Sequence, residues 1–349
     1  MSDFIPFPHQ AAGHPGSLQS VDGSLFLKAT TKQEIAFYEG LNAQEDNPDT
    51  DLGSKLLHWT PTFMGTLTLG ATPDVVKKGN IDAEMMATVQ SQSGSVDELT
   101  SKEYLVLRNA LYGYSQPSVL DVKLGSILYD ENTSSEKVQR LSEVSKNTTS
   151  GSLNFRVCGM KIRHNQIPSD LEGVRMDDCT SLLKEEGSDI ITFDKTFGRS
   201  LTNETVTKGL GLFFRHNRLP VNVQQKILEI FHLRLQILYN CLLDEEVRIR
   251  SGSLFFVFEN DLSRWEQLEY DDPVIEEEFW EEEDDDDDDD ENKTPVARLS
   301  ALKVIDFAHS KFVPGKGYDE NVVKGVENLM SCFERLIREA EKSESTRTL

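Results

Sequence analysis

Pro117-Ser118-Val119-Leu120-Asp121-Val122-Lys123-Leu124-Gly125 is the stretch of sequence that decides the fold. Pro117 fixes its own φ and favours extended geometry in the residue before it, so the chain enters the segment straight. Residues 119–124 are rich in branched side chains and predict a short strand. Gly125 allows the strand to end abruptly, because glycine adopts turn conformations that other residues avoid.

Alternation along this strand predicts two chemically different faces. Asp121 and Lys123 share one face, and the other face is apolar, formed by Leu120, Val122 and Leu124. An acid and a base two positions apart, with an apolar backing, make a rigid pair of opposite charges. Such a pair can grip a phosphate and a hydroxyl together, or it can be an ion pair on a surface strand.

The same stretch resembles the signature of the inositol polyphosphate kinase family, Pro-x-x-x-Asp-x-Lys-x-Gly, at all its fixed positions. The resemblance implies that Asp121 and Lys123 are catalytic. Lys123 would bridge the γ-phosphate of ATP and the acceptor hydroxyl. Asp121 would either orient that hydroxyl or hold the ATP ribose, and the sequence does not separate these two roles.

Further segments resemble blocks of this family in the same order along the chain. They lie at residues 10–14, 159–161, 194–202, 251–259 and 304–309. Two of them depart from the family pattern: Lys161 stands where the family has arginine, and Gly252 and Phe255 interrupt a Ser-Ser-Leu-Leu block. The replacement at Lys161 keeps a cation but loses bidentate phosphate geometry.

The predicted nucleotide site begins in the amino-terminal part of the chain. Lys28 ends a short strand, and Glu34 lies near the start of the helix that follows. In kinase-like lobes a strand lysine pairs with a helix glutamate and holds the ATP phosphates. The apolar strand at 104–107 leads to Arg108, Asn109 and Ala110, where the resemblance places the adenine against backbone groups, although the family carries an acid where Arg108 stands.

Asp306 ends a hydrophobic strand in the segment Val304-Ile305-Asp306-Phe307-Ala308-His309. Hard cations prefer carboxylate oxygen, so Asp306 is the candidate Mg²⁺ ligand. The segment resembles the Ile-Asp-Phe-Ala-His block of the family, which implies that His309 faces the substrate. Ser253 is a candidate neighbour of the nucleotide phosphates.

A short amphipathic helix is predicted directly after the signature, from a Ser-Ser-Glu-Lys start and a regular apolar spacing. Its polar face is basic, and the family keeps its inositol phosphate pocket at this place. The resemblance therefore implies a set of side chains that hold the phosphates of the inositol ring: Lys123, Lys137, Arg140, Lys146, Lys161, Lys195 and His309.

The formal net charge of −24 is concentrated in one segment of the 349-residue chain. Seventeen acidic residues and no Lys or Arg lie between Glu269 and Glu291. Closely spaced like charges repel and bury little apolar area, so we predict a disordered acidic insertion at 269–293. The remaining charge is unremarkable for a globular protein, and we expect no direct nucleic-acid binding.

Cysteine usage and hydropathy predict the compartment. The four cysteines are widely spaced and form no metal-type cluster, which favours reduced thiols in an intracellular protein. We find neither a secretory leader pattern nor an apolar run of membrane-spanning length. The expectation is a soluble protein of the nucleus and cytoplasm, and a monomer.

The predicted fold is α+β, a two-lobed kinase-like fold related to protein kinases and ATP-grasp enzymes, with antiparallel sheets. One domain, 1–349, contains an amino-terminal lobe, 1–107, and a carboxy-terminal lobe, 108–349. A small helical inositol-phosphate-binding segment lies within 130–200. The chain lacks the His-Arg-Asp, Gly-x-Gly-x-x-Gly and Ala-Pro-Glu blocks of protein kinases, which excludes that class.

The resemblance implies a kinase that uses ATP and Mg²⁺ and converts inositol trisphosphate to tetrakis- and pentakisphosphate, as multikinase members of the family do. A strict trisphosphate 3-kinase would carry a larger helical insertion before Gly159; a hexakisphosphate kinase is the less well excluded alternative. A different class is a scaffold whose acidic tract recruits basic transcription factors. Phosphoinositide lipid headgroups are further candidate ligands.

Overall fold

The computed structural model describes residues 4–7, 16–44, 53–68, 103–163, 180–182, 189–275 and 298–347. The family-like block at 10–14 lies outside these residues. Within them the chain forms two antiparallel sheets, each backed by helices. This confirms the predicted α+β, two-lobed architecture.

The amino-terminal lobe contains an antiparallel sheet whose strands lie in the order β1-β2-β3-β5-β4. The strands are β1 (Phe4–Pro6), β2 (Leu18–Ser20), β3 (Leu25–Ala29), β4 (Phe63–Thr68) and β5 (Glu103–Arg108). Leu56–Trp59 forms a 3-10 turn before β4, which begins at Phe63.

Helix α1 (Lys32–Asn42) lies between β3 and the 3-10 turn. Its first turn is capped by Thr31, whose hydroxyl accepts a hydrogen bond from the amide of Glu34 at 3.2 Å. The buried face of the helix carries Phe37, Tyr38 and Leu41, each at most 2% exposed. Phe37 stacks on Phe307 of the other lobe at 4.8 Å between ring centroids, so α1 is fixed against both lobes.

The carboxy-terminal lobe is built on an antiparallel sheet in the order β12-β11-β6-β7-β9-β8. Its strands are β6 (Pro117–Leu124), β7 (Phe155–Arg163), β8 (Thr180–Leu182), β9 (Ile190–Phe193), β11 (Ser253–Glu259) and β12 (Ser300–Ile305). A separate two-stranded ribbon pairs β10 (Val247–Arg248) with β13 (Lys311–Phe312).

The helices of this lobe are α2 (Ser135–Lys146), α3 (Thr149–Leu153), α4 (Lys195–Ser200), α5 (Val206–Arg215), α6 (Val221–Asp244), α7 (Leu262–Gln267) and α8 (Glu320–Arg347). Helices α5, α6 and α8 pack together, with buried aromatic side chains between them and the sheet. Helix α6 ends at Asp244, because the residues after it turn to form β10.

Strand β6, the predicted signature strand, is hydrogen-bonded on both edges, by β11 and by β7. Its apolar face points to the helices, where Leu120, Val122 and Leu124 are at most 1% exposed. The predicted alternation is confirmed. Because the strand is central and buried, its polar face is held rigidly.

The predicted amino-terminal bound of the acidic insertion, at residue 269, is wrong. Residues 269–275 pack against the lobe, and Asp272 is buried beside the buried Arg234, at 3.4 Å between Oδ1 and Nη2. The amide of Ser300 also donates to Asp272, at 3.1 Å. The acidic residues 276–291 lie outside the described part of the chain.

In the described residues, no helix has the length and apolar character needed to cross a membrane. Three of the four cysteines lie in this part of the chain, as buried free thiols: Cys158, Cys241 and Cys332.

Candidate active site

The second face of the large sheet turns toward the amino-terminal lobe and carries the polar side chains. In an antiparallel sheet, residues directly opposite each other project from the same face. The register therefore defines rows of side chains across four strands. The first row is Ile305, Ser253, Lys123 and Arg156, and the second is Lys303, Phe255, Asp121 and Gly159. The third row is Ala301, Val257, Val119 and Lys161.

Asp121 is 7% exposed, and its Oδ1 atom is buried without a hydrogen-bond partner in the described chain. Burial raises the pKa of this carboxyl group to about 6; Lys123 opposes the shift and Asp306 adds to it. An unpartnered buried acceptor is costly unless a ligand supplies a donor. A hydroxyl group from the ribose or from the phosphate acceptor would satisfy it, so both predicted roles of Asp121 remain open.

Lys123 lies beside a second cation that sequence reasoning missed. The ammonium group of Lys123 donates to the main-chain carbonyl of Ser251 at 2.6 Å. Arg156, directly opposite on β7, is 8% exposed, and its Nη1 donates to the hydroxyl of Ser150 at 2.9 Å. Simple alternation from Lys161 puts Arg156 on the opposite face of β7, and only the bulge in the pairing of β6 with β7 brings both to the same face.

The predicted pair of Lys28 and Glu34 is confirmed, and Asp306 joins it. The ammonium nitrogen of Lys28 is 2.8 Å from Glu34 Oε1 and 2.7 Å from Asp306 Oδ1. Burial disfavours the charge on Lys28, but the carboxylates of Asp306 and Glu34 outweigh it and raise the pKa of Lys28 above its ordinary value. The amide of Phe307 donates to Glu34 at 2.9 Å, so this cluster connects the two lobes.

Asp306 follows β12 with a φ of 68°, in the left-handed region that favours glycine. Backbone strain of this kind collects at functional sites. Its carboxylate is 34% exposed, and the described residues contain no cluster of three side chains that could hold a metal by themselves. Mg²⁺ is commonly held by one or two carboxylates together with phosphate oxygens and water, so the donor set fits a metal that arrives with a nucleotide.

Ser253 lies in the first row between Ile305 and Lys123 and is fully buried. Its hydroxyl approaches Asp121 without the geometry of a hydrogen bond. A buried hydroxyl beside Lys123 and near Asp306 can donate to a phosphate oxygen. The structure places Ser253 beside Lys123, and its contact with the nucleotide phosphates stays a prediction.

The segment predicted to contact the adenine, Arg108 to Ala110, begins at the last residue of β5. The amide of Arg108 donates to the carbonyl of Thr62 at 2.9 Å. The amide of Asn109 donates to the carbonyl of Ser24 at 2.7 Å. These two donors are therefore used inside the lobe. An adenine at this segment would bond to its other backbone groups.

The basic side chains predicted to hold substrate are spread over several elements. On α2, Lys137, Arg140 and Lys146 are exposed, and the hydroxyl of Ser145 ties the helix to the carbonyl of Ser126 at 2.7 Å. The helix thus carries its cations next to the end of the signature strand.

The other three predicted substrate residues differ in their positions. Lys161 is 8% exposed and shares the cleft face with Asp121, one row away. The Nδ1 atom of His309 is 2.7 Å from Asp130 Oδ2. Lys195 is exposed at the start of α4. The structure brings Lys161 to the cleft and leaves the role of Lys195 as a prediction.

The exit from the signature strand is held by a residue that sequence reasoning missed. Gly125 has a φ of 86°, and a Cβ atom there would be 2.2 Å from Asn321 Nδ2. The Oδ1 atom of Asn321 accepts from the amide of Ser126 at 2.8 Å, from its hydroxyl at 3.0 Å and from the amide of Ile127 at 3.0 Å. Asn321 thereby fixes the chain between Lys123 and α2.

Comparison with known proteins gives consistent results. A family model described as inositol polyphosphate kinase matches residues 104–334. The inositol polyphosphate multikinase of Saccharomyces cerevisiae is 40% identical, over 95% of this chain and 98% of its own. That of Schizosaccharomyces pombe is 29% identical, over 95% and 97% of the two chains.

A solved structure shows the same fold. The crystal structure of the S. cerevisiae inositol phosphate multikinase in complex with ADP and Mn²⁺ superposes with a TM-score of 0.68 at 36% identity, covering 90% of this chain and 100% of that one. Together with the complete signature on β6, these matches show that the chain belongs to the inositol polyphosphate kinase family.

Proposed function

We propose that the protein is an ATP-dependent inositol polyphosphate multikinase that phosphorylates inositol trisphosphate to tetrakis- and pentakisphosphate. The observation that carries this proposal is the first row of the sheet, where Ser253, Lys123 and Arg156 lie between the Lys28–Asp306 ion pair and α2. Phosphoryl transfer depends mainly on positioning and on neutralising charge, which this arrangement of cations provides.

The nucleotide side is formed by the cluster that joins the lobes. Lys28, fixed by Glu34, would bind phosphate oxygens of ATP, and Asp306 would hold a divalent cation together with those phosphates. A bound Mg²⁺ would supply neutralisation of phosphate charge. The ADP and Mn²⁺ bound by the S. cerevisiae relative support this assignment.

The acceptor side is formed by β6, β7 and α2. Lys123 lies nearest the centre of the row, where it would touch both the transferring phosphoryl group and the acceptor oxygen. Arg156 and Lys161 present cations from β7, and Lys137 and Arg140 present them from α2. Together they would hold the phosphates of the ring and turn one hydroxyl toward Lys123.

The length of the segment between β6 and β7 favours the multikinase over a strict trisphosphate 3-kinase. Between these strands the chain forms α2, with 12 residues, and α3, with 5 residues. A larger helical substrate lobe does not fit in residues 125–154, all of which are described. A compact, open substrate segment accommodates rings with different numbers of phosphates.

The test is to incubate purified protein with ATP, Mg²⁺ and each of a panel of inositol phosphates, and to resolve the products by chromatography. We expect trisphosphate to be converted successively to tetrakis- and pentakisphosphate. Transfer to hexakisphosphate alone would assign the protein to the hexakisphosphate kinases. Transfer to no member of the panel would overturn the proposal.

Finer properties of the protein are proposed on the sequence alone. The acidic residues 276–291 would bind basic proteins such as transcription factors, in a monomeric protein of the nucleus and cytoplasm. Phosphoinositide headgroups share the chemistry of the ring phosphates and would enter the same cleft. Affinity capture with and without residues 276–291, and fractionation of cells, test these proposals.

A further inference from the structure

A pocket of about 520 Å³ is lined in part by residues 129–131, in the segment that follows the signature strand. Its basic lining comes from the β10–β13 ribbon and the turns around it: Arg248, Arg250, His309, Lys311 and Lys316. Two acids, Asp130 and Glu131, also line it. None of the residues proposed above to hold ATP lines this pocket, and His309 is the one member of the predicted substrate set among its described lining residues.

The pocket adjoins the position where the acceptor hydroxyl would meet Lys123, but neither Lys123 nor another residue of β6 lines it. The hydroxyl of Ser251 donates to the carbonyl of Leu128 at 2.9 Å, and the carbonyl of Ser251 accepts from Lys123 at 2.6 Å. Ser251 thus stands between Lys123 and Arg250. His309 and Asp130, 2.7 Å apart, form part of the pocket lining.

Two of the cations have no carboxylate in an ion pair among the described residues. The guanidinium of Arg248 donates to the carbonyls of Val247, Lys316 and Gly317, at 2.7 to 2.8 Å, and these partners are neutral. Glu246 feels the charge of Arg248, but its carboxylate accepts from the amides of Gly315 and Gly317. Lys316 is exposed.

The remaining cations are partly compensated. Arg250 contacts the buried Asp319 at 2.7 Å, and Lys311 contacts Glu131. The second pair is exposed on both sides, so it contributes little stability and a ligand can displace it easily. The basic side chains of the pocket are therefore more numerous and less neutralised than its acids.

The ribbon itself places like charges together. Arg248 and Lys311 are direct cross-strand partners on β10 and β13. Like charges directly opposite each other destabilise a pair of strands. An anion bound between the two cations would offset this repulsion. A surface that contacts only water gains no stability from placing the two like charges together.

The size of the pocket selects the class of anion. A volume of 520 Å³ is within the range of small-molecule sites and exceeds what one phosphate group fills. Cations on two strands and two turns suit a compact ring with several phosphates. Each phosphate could then meet a different basic side chain.

We propose that this pocket is a second polyanion site that binds a soluble inositol polyphosphate, distinct from the acceptor position at Lys123. The choice of inositol polyphosphate as ligand rests on the proposed function; the pocket and its charge do not. The enzyme would then hold a phosphorylated ring, either substrate or product, beside the cleft while another occupies the acceptor position.

The test uses the full-length protein and inositol hexakisphosphate without ATP, since this ring has no free hydroxyl to accept a phosphoryl group. Binding is measured by calorimetry for the wild type, for Lys311→Gln/Lys316→Gln and for the control Lys324→Gln/Lys342→Gln, which removes the same charge from α8. We expect the pocket variant to weaken one class of sites about tenfold. The control should bind as the wild type does.

Lys123→Ala separates the two sites, because it should weaken the other class and leave the pocket unchanged. A single class of sites abolished by Lys123→Ala, or wild-type binding by the pocket variant, would overturn the proposal. Melting temperatures check folding, and Lys316→Gln alone, at an exposed turn, replaces the double variant if that melts early.

The source of the anion is tested with phosphatidylcholine vesicles containing phosphatidylinositol bisphosphate. Soluble inositol hexakisphosphate should displace the protein from these vesicles by occupying the pocket. Vesicle binding that persists in its presence would overturn the assignment of a soluble ligand to the pocket. Failure of the proposed function is read separately, as absence of turnover with every acceptor, whereas pocket binding needs no turnover.

Discussion

Glu34→Gln tests the link between the lobes, because it removes one charge and preserves the size of the side chain. Glu34 is 1% exposed, and its carboxylate accepts from Lys28 at 2.8 Å, from the amide of Phe307 at 2.9 Å and from the hydroxyl of Thr30. Glutamine keeps one acceptor oxygen for Lys28 and Phe307, and its amide nitrogen would face the Thr30 hydroxyl, which can accept, so the main loss is the charge of the carboxylate.

The magnitude follows from the partners that remain. A hydrogen bond to a charged group contributes about 1.5–3 kcal/mol. Removing one partner of a buried ion pair costs about 3–5 kcal/mol when the other is left alone, but Lys28 keeps Asp306 at 2.7 Å. We therefore expect the free energy of unfolding to fall by about 2–3 kcal/mol.

Activity should respond through the nucleotide. With Glu34 neutral, Lys28 is held by Asp306 alone and is drawn toward it, away from the ATP phosphates. We expect the KM for ATP to rise about tenfold, equivalent to about 1.4 kcal/mol. The KM for the inositol phosphate should change much less.

The assay is steady-state kinetics with ATP varied, together with chemical denaturation, for Glu34→Gln and for Glu39→Gln. Glu39 is exposed on the same helix, so its variant loses the same charge without touching the cluster. If Glu34→Gln matched Glu39→Gln in both stability and KM for ATP, the cluster would be a surface feature and the reasoning would be refuted.

Variants at three further places test other parts of the molecule. Lys123→Ala should lower kcat about a hundredfold with a smaller effect on ATP affinity. Lys123→Arg should rescue little, because the planar guanidinium cannot occupy the position of the compact ammonium group. A folded Lys123→Ala variant with wild-type kcat would show that the residue is structural. Deleting residues 276–291 should leave kcat and the melting temperature nearly unchanged, and collapse of either would place the tract in the folded body. Asn321→Ala should cost about 1–3 kcal/mol of stability and raise the KM for the inositol phosphate. Asn321→Asp keeps the acceptor oxygen and should retain most of the wild-type stability and KM. Equal effects of the two variants would contradict the positioning role.

Sequence patterns with a local cause predicted the structure well. Alternation along the signature strand correctly placed Asp121 and Lys123 opposite the apolar face, because β6 is regular and paired on both edges. The helix predicted after the signature begins at its Ser134 cap. Lys28 and Glu34, only six positions apart, were paired by the spacing of a strand followed by a helix.

Contacts between distant parts of the chain could not be predicted in this way. Asn321 reaches Ser126 across nearly two hundred positions, and only the folded chain shows that α8 begins beside Gly125. The acidic residues at 269–275 predicted disorder, because a count of local charge does not include partners from distant parts of the chain. In the folded protein Asp272 is buried against Arg234 of α6. Arg156 was hidden by the bulge that shifts the register of β7.

The central claim, that the cleft is a metal-dependent phosphotransferase site with Asp306 as the metal ligand, is tested most directly by turnover as a function of Mg²⁺ concentration. Asp306→Asn preserves size and polarity, and it should remain folded while kcat falls about a hundredfold or more. Asp271→Asn, at an exposed position, is the matched control and should behave as the wild type. Near-normal turnover of Asp306→Asn at ordinary Mg²⁺ would contradict the account.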